Sequence, residues 1–180
     1  MDALAARARA GVTVRVLCDR FGSTSAVLSG MLRRYGRVPN LRVAAWTQAN
    51  PLKRQFQLNL RNHRKILVVD GREAFTGGIN LQAEHTTRGA RPPIRDYHFR
   101  LRGPAVQELQ YTFLRDWYFI TAADPEELLR AEHFPHLDPA GPTPVRVVNS
   151  GPTSEIEAAA DTVFTAVVTA RKRILALTPY

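Results

Sequence analysis

The chain has 180 residues, of which 44% are hydrophobic and 23% charged, a balance typical of a globular chain that can bury a core. No apolar run approaches the roughly 18 residues of a membrane-spanning helix, and a single cysteine excludes an intramolecular disulfide. The net charge of +9 rests mainly on arginine, because lysine occurs only at positions 53, 65 and 172. Arginine suits phosphate recognition, so anionic lipid and nucleic acid are both candidate partners.

The first third of the chain predicts alternating helices and strands. An alanine-rich helix is expected over 3–10, a strand over 12–18 with Cys18 as a small buried hydrophobe, a helix over 26–35 and a strand over 41–46. Residues 49–62 are polar and predict an irregular segment.

The middle of the chain predicts a β-hairpin. The short apolar run within 65–70 indicates a strand buried on both faces, and Asp70-Gly71 is a hairpin-turn signal before a partner strand over 74–76. Alternation over 95–101 predicts a further strand, and Gly103-Pro104 opens a core-facing helix that includes Trp117.

The last third contains a proline-rich loop over 121–144. A short strand is expected over 145–148, then a helix over 154–173 with Ser154 as its N-cap, and a final strand beginning at 174. Strands alternating with helices predict an α/β sandwich whose mixed sheet is flanked by helices.

The segment from His63 to Glu84 carries the residues suited to chemistry. His63 and Lys65 are two positions apart on the predicted strand and would therefore share a face. A neutral imidazole can attack phosphorus if an acceptor holds its other N–H, and Glu84 is a candidate for that role. Lys65 and Asn80 could stabilise charge on phosphate oxygens.

The spacing H-x-K-x(4)-D-x(6)-G-G-x-N resembles the signature of the phospholipase D superfamily. The residues that match are His63, Lys65, Asp70, Gly77, Gly78 and Asn80, with Glu84 at the place of the family's trailing glutamate. Within that superfamily the surrounding sequence resembles bacterial cardiolipin synthases. The similar segments are 10–19, 95–98, 103–106, 113–117, 149–152 and 177–180.

The resemblance implies a phosphatidyltransferase with a phosphohistidine intermediate. The implied catalytic residues are His63, Lys65, Asp70, Asn80 and Glu84, with Gly77 and Gly78 as a substrate phosphate loop. Phosphatidylglycerol would be donor and acceptor, and no metal or organic cofactor is implied. The expected location is the surface of the bacterial cytoplasmic membrane, with this chain peripheral to it and any membrane anchor outside it.

The superfamily uses two such motifs, and this chain carries one. The remaining histidines, at 85, 98, 133 and 136, begin no second H-x-K. We therefore interpret 1–122 as a first catalytic half, without its first strand, 123–144 as a linker and 145–180 as the start of a second half. The acid–base partner would come from a missing C-terminal half or from a homodimer, and the isolated chain is expected to be inactive.

Two other functions remain open at this stage. The first is a nuclease or phosphodiesterase that acts as a homodimer, which the net charge suits but the cardiolipin synthase-like segments disfavour. The second is an inactive fragment that only binds anionic lipid. Among weaker signals, His133 and His136 have a metal-ligand spacing without further ligands. The resemblance also makes Arg95 and Asp96 candidates for support of the site, and a surface or packing role is equally compatible with the sequence.

Overall fold

The structure is a computed structural model that describes residues 1–19, 22–46, 49–50, 55–56, 62–86, 92–150 and 157–176. The chain divides into two compact units, Met1–Pro142 and Thr143–Tyr180. Residues 123–142, most of the expected linker, belong to the first unit and include a short helix that begins after the Asp124 cap.

The first unit contains most of the regular structure. Its helices are α1 (Asp2–Arg9), α2 (Thr24–Leu28), α3 (Met31–Tyr35), α4 (Ala105–Thr121) and α5 (Pro125–Leu128). Its strands are β1 (Val14–Asp19), β2 (Leu41–Trp46), β3 (Ala49–Asn50), β4 (Gln55–Phe56), β5 (Ile66–Val69), β6 (Glu73–Gly77) and β7 (His98–Arg102). The single helix predicted over 26–35 was wrong, because Gly30 has a φ of 70° and interrupts it between α2 and α3.

The strands combine parallel and antiparallel pairing, which confirms the predicted α/β class. β1 and β2 are parallel and in register from Val14↔Leu41 onward, whereas β5, β6 and β7 form an antiparallel meander. Within the described residues these are separate hydrogen-bonded sheets. β3 and β4 form a small antiparallel pair in the segment expected to be irregular.

The antiparallel sheet is covered on one face by α4. Ala74 is fully buried and pairs with Val68, whereas Leu67 and Val69 are 50% and 42% exposed. The prediction that β5 is buried on both faces was therefore wrong. α4 contacts β2 as well as β5, β6 and β7, so this helix bridges the two kinds of sheet.

Among the described residues, two apolar clusters stabilise the first unit. One is formed by α1, α3 and the start of β2, and its buried members are Ala5, Ala8, Tyr35 and Leu41. The other joins α4 to α5, to Leu17 of β1 and to Ala44 of β2. Its buried members are Leu114, Trp117 and Leu128. α4 is thus held firmly at its C-terminal half, which contains the face that reaches the candidate site.

The second unit has one described helix, α6 (Ala158–Thr169). It is shorter than the helix predicted over 154–173, and its predicted cap, Ser154, lies outside the described residues. The strands expected at 145–148 and 174–176 were wrong, because these described residues have no strand structure. A run of aliphatic residues alone does not make a strand without a pairing partner. In the described part of the chain, no helix has the length and apolar character needed to cross a membrane.

Candidate phosphate-transfer site

His63 lies in a short irregular segment, 62–65, immediately before β5. The prediction that His63 and Lys65 lie on the strand itself was wrong, since β5 begins at Ile66. The Lys65 Nζ instead curls back and donates to the His63 carbonyl oxygen at 2.9 Å. His63 is exposed and Lys65 is half-buried. The imidazole is therefore accessible, and the ammonium of Lys65 is bound to the backbone of His63.

The residues on either side of His63 are fixed to α4 by one buried carboxylate. Asp116 is 7% exposed, and its Oδ2 accepts from the Asn62 Nδ2 at 2.9 Å and from the Arg64 Nη1 at 2.9 Å. The same Arg64 nitrogen lies 3.3 Å from the Asp116 Oδ1. Charge-assisted hydrogen bonds of this kind are among the stronger polar contacts in proteins.

Asn62 also connects the segment to the parallel strands. Its backbone N–H donates to the Asp19 Oδ2 at 3.1 Å, at the end of β1, and its side-chain Oδ1 accepts from the Arg64 N–H at 2.9 Å. Asn62, Arg64, Asp19 and Asp116 line a small cleft of about 60 Å³ together with Leu17, Cys18, Ile66 and Phe113.

Asp116 is not part of the motif from which the site was predicted, although its place in the sequence carries a signal. Asp116 lies three residues after Phe113 and next to Trp117, on the apolar side of α4. A carboxylate on the core side of a helix is uncommon unless it has a partner. Its partners are 52 and 54 residues away in sequence, so nothing local could have identified them.

Asp70 lies at the far end of β5 from His63. Asp70 and Gly71 have φ values of 54° and 63°, the left-handed pair expected of a tight hairpin turn between β5 and β6. The four residues of β5, about 13 Å long at 3.3 Å per residue, separate this turn from the segment that contains His63. Asp70 is exposed and shapes the turn.

Gly77 and Gly78 lie at the same end of the sheet as His63. Ile66 pairs with Thr76, so the start of β5 and the end of β6 are adjacent, and Gly77 in turn pairs with His98. A Cβ on Gly77 would collide with the Tyr97 carbonyl oxygen, and one on Gly78 would collide with the Asp96 carboxylate. Gly77 therefore requires glycine, because the atoms that approach it belong to the backbone of the neighbouring chain, whereas the Asp96 side chain next to Gly78 can move.

Asn80 and Glu84 follow the glycine pair. Asn80 is half-buried, and Glu84 is exposed in the 3₁₀ turn Ala83–His85, whose Glu84 carbonyl accepts from the Ile94 N–H at 2.7 Å. Among the described residues, no hydrogen bond or ion pair joins the Glu84 carboxylate to the His63 ring. The structure thus gathers His63, Lys65 and the two glycines at one end of the sheet, and leaves the predicted Glu84 contact unmade.

The turn end of the sheet has an ion-pair cluster of its own. The Glu73 carboxylate accepts from the Arg100 Nη2 and the Arg102 Nε, each at 2.6 Å. These arginines hold the pKa of Glu73 below its ordinary value, and Glu73 raises the pKa of Arg100. Glu73 pairs with Val69, so this cluster lies towards Asp70 and away from His63.

The described residues contain no group of three or more histidine, cysteine or acidic side chains able to hold a metal ion. The His133 Nδ1 lies 2.9 Å from the Leu128 carbonyl oxygen, and the His136 ring pairs with Asp138 at an exposed position. Burial raises the pKa of the Cys18 thiol, which disfavours the thiolate that a nucleophilic cysteine requires.

The sequence of this domain matches a known protein family. Residues 1–117 match the family described as cardiolipin synthase, PLD-like domain, a stretch that runs from α1 into α4 and contains the whole His63–Glu84 segment. These features define a phospholipase D-like domain, and the chain belongs to the cardiolipin synthase, PLD-like domain family.

Curated relatives extend the similarity over nearly all of the chain. It is 34% identical to the major cardiolipin synthase ClsA of Bacillus subtilis and 32% identical to cardiolipin synthase 1 of Bacillus cereus, in each case over 99% of the chain. It is 36% identical to cardiolipin synthase A of Pseudomonas aeruginosa over 97% of the chain. The aligned region is 36%, 37% and 34% of the Bacillus cereus, Bacillus subtilis and Pseudomonas proteins, so the chain spans about a third of these relatives. No solved structure matches the chain.

Proposed function

We propose that the chain carries the nucleophilic half of a cardiolipin synthase-like phosphatidyltransferase. The supporting observation is the complete motif from His63 to Asn80, with an exposed histidine beside a lysine and a glycine pair, within a stretch that matches the cardiolipin synthase family. Relatives that bear the name cardiolipin synthase align with 97–99% of the chain.

The proposed reaction has two displacements at one phosphorus atom. A ring nitrogen of His63 attacks the phosphorus of phosphatidylglycerol, the bond from phosphorus to the headgroup glycerol oxygen breaks, and that oxygen takes up a proton as glycerol leaves. The free hydroxyl of a second phosphatidylglycerol then gives up its proton and attacks the phosphohistidine. The phosphorus–nitrogen bond breaks, which releases cardiolipin and restores neutral His63.

The other motif residues would stabilise charge and shape the site. Lys65 and Asn80 would donate to phosphate oxygens, and Gly77 and Gly78 would let the backbone approach them closely. For Lys65 this requires the ammonium to leave the His63 carbonyl or to bridge it and the phosphate. Asp70 would act at a distance, through the hairpin turn that fixes β6 against β5.

An acceptor for the second N–H of His63 is also needed. Glu84 is the acceptor predicted from the motif, and it would have to approach when substrate binds. Asp96 is the alternative, because its carboxylate lies directly against Gly78 at the same end of the sheet. Either carboxylate would hold the imidazole in the tautomer that attacks phosphorus.

The proton donor and the location follow from the same proposal. A second H-x-K motif, from further residues of the natural protein or from a second copy of this chain, would supply the acid and base.

The substrates are anionic lipids, so we propose a membrane-associated enzyme at the bacterial cytoplasmic membrane, with the chain peripheral to it. The net charge of +9 favours binding to such a surface.

The test is phosphatidyl transfer by the natural gene product that contains this chain, on vesicles of phosphatidylglycerol. His63→Ala should abolish formation of cardiolipin and glycerol, and Lys65→Ala or Asn80→Ala should lower kcat by on the order of a hundredfold. His136→Ala, an exposed histidine outside the site, is the matched control and should leave the rate unchanged.

Three outcomes would redirect the proposal. Full transfer by His63→Ala would contradict the mechanism. Cleavage of plasmid DNA without reaction on the vesicles would favour the nuclease alternative. Vesicle binding that survives His63→Ala, without turnover by either protein, would favour a lipid-binding module.

A further inference from the structure

Asp116 occupies an unusual position for a carboxylate in this fold. It lies on α4, a helix of 17 residues whose buried side chains include Leu114 and Trp117, and it is itself 7% exposed. Burial of a carboxylate is unfavourable unless hydrogen bonds and an opposite charge offset it. Here both come from the two residues that flank His63.

The contacts leave the His63 segment little freedom. Asn62 uses its backbone N–H on Asp19, its side-chain N–H on Asp116 and its side-chain oxygen on the Arg64 N–H, all within 3.1 Å. Arg64 adds its guanidinium to the same Asp116 carboxylate. His63 is therefore held from both sides, on a backbone fixed to β1 and to α4.

We propose that Asp116 is a positioning residue for His63, acting through Asn62 and Arg64; this rests on the proposed role of His63 as the nucleophile. An attack on phosphorus requires the reacting atoms to be placed closely, and a displacement of about 1 Å can lower a rate on the order of a hundredfold. His63 lies outside regular secondary structure, so its position depends on these side-chain contacts.

The ion pair between Arg64 and Asp116 also affects the charge beside His63. Arg64 is paired with the buried carboxylate at 2.9 Å, with 28% of its own side chain exposed. The pair carries no net charge next to the imidazole. Lys65 remains as the motif cation beside His63.

The test compares Asp116→Asn with Glu127→Gln in the natural gene product. Both changes replace a carboxylate by an amide of the same shape in an ion pair of the first unit, but Glu127 pairs with Arg15 and Arg42 away from His63. Asp116→Asn should lower kcat for phosphatidyl transfer on the order of tenfold to a hundredfold and change KM by less than about twofold. Glu127→Gln should leave kcat within about twofold.

A positioning role makes two further measurements informative. Asn62→Ala should also lower kcat, and adding Asp116→Asn to it should lower kcat little further, because both act on the same segment. Hydrogen exchange should quicken at residues 62–65 in Asp116→Asn and stay unchanged in β1.

Several results would overturn the inference. One is a kcat in Asp116→Asn equal to wild type. Another is a fall in kcat that matches only the loss of folded protein, measured by thermal unfolding, or full additivity with Asn62→Ala. These results are distinct from a failure of the proposed function, which is active His63→Ala.

Discussion

Gly77 provides a direct test of how closely β7 approaches the site. Alanine there would place a methyl group against the Tyr97 carbonyl oxygen, 2.7 Å from the His98 Cα and 2.9 Å from the His98 Nδ1. Two of these contacts are backbone atoms, which cannot rotate away. Gly77 also has a φ of 154°, in a region that alanine rarely adopts.

The expected loss of stability follows from these two terms. Overpacking costs about 1–3 kcal/mol, and the unfavourable φ adds about 1–2 kcal/mol, so Gly77→Ala should destabilise by roughly 3 kcal/mol. At roughly 2–4 °C per kcal/mol for a protein of this size, Tm should fall by about 6–12 °C. Thermal unfolding followed by circular dichroism measures this.

Gly11→Ala is the matched control for the backbone term. Gly11 has a φ of 93°, and a Cβ there meets nothing within 4 Å. Its substitution should lower Tm by only about 2–4 °C, from roughly 1 kcal/mol of backbone strain. Equal losses in Gly77→Ala and Gly11→Ala would refute the close approach of β7.

Three further predictions address the site, the turn end of the sheet and the lone cysteine. The added methyl group of Gly78→Ala would contact the Asp96 carboxylate, a side chain that can move. The rate of phosphatidyl transfer should therefore fall about tenfold or more while Tm stays within a few degrees of wild type, and an unchanged kcat would argue against a role for that carboxylate. The Arg100 and Arg102 hydrogen bonds lower the pKa of Glu73, so its ion pairs stabilise the fold fully above the ordinary pKa of 4.5, and this stabilisation is lost as pH falls through the lowered folded pKa. The Tm difference between wild type and Glu73→Gln should be present at pH 7, shrink below pH 4.5 and vanish below the folded pKa, and a difference that persists in stronger acid would contradict this. The raised pKa of Cys18 predicts slow reaction with a thiol reagent at pH 7 in the folded protein and rapid reaction after unfolding, and equal rates would contradict the burial of its thiol.

Local chemistry accounts for the parts of the fold that the sequence predicted well. The strand expected over 41–46 is β2, and Asp70-Gly71 forms the expected turn, since both depend on residue preferences within a few positions. The prediction that β5 is buried on both faces was wrong, because the elements that cover a sheet come from distant parts of the sequence. Among the described elements, α4 covers one face of this sheet, and it is contributed by residues far along the chain.

The candidate site likewise has a part that local sequence predicts and a part that depends on residues far apart in the chain. The spacing alone predicted the motif residues as a candidate site, and the structure places His63, Lys65 and the glycine pair at one end of the sheet. The Asn62–Asp116 hydrogen bond could not be predicted, because it joins residues 54 positions apart. In the second unit, the strands expected from the aliphatic runs at 145–148 and 174–176 are absent, because the described residues offer them no pairing partner.

The central claim is that His63 becomes covalently linked to the phosphatidyl group. In the most direct measurement, the natural gene product is incubated with phosphatidylglycerol labelled in its phosphate. The reaction is quenched in base, where a phosphorus–nitrogen bond to histidine survives, and the label is mapped by peptide mass spectrometry. We expect label on the peptide that contains His63, at the imidazole, and none in His63→Ala. Label on another residue of this chain, or product formation in His63→Ala, would contradict it.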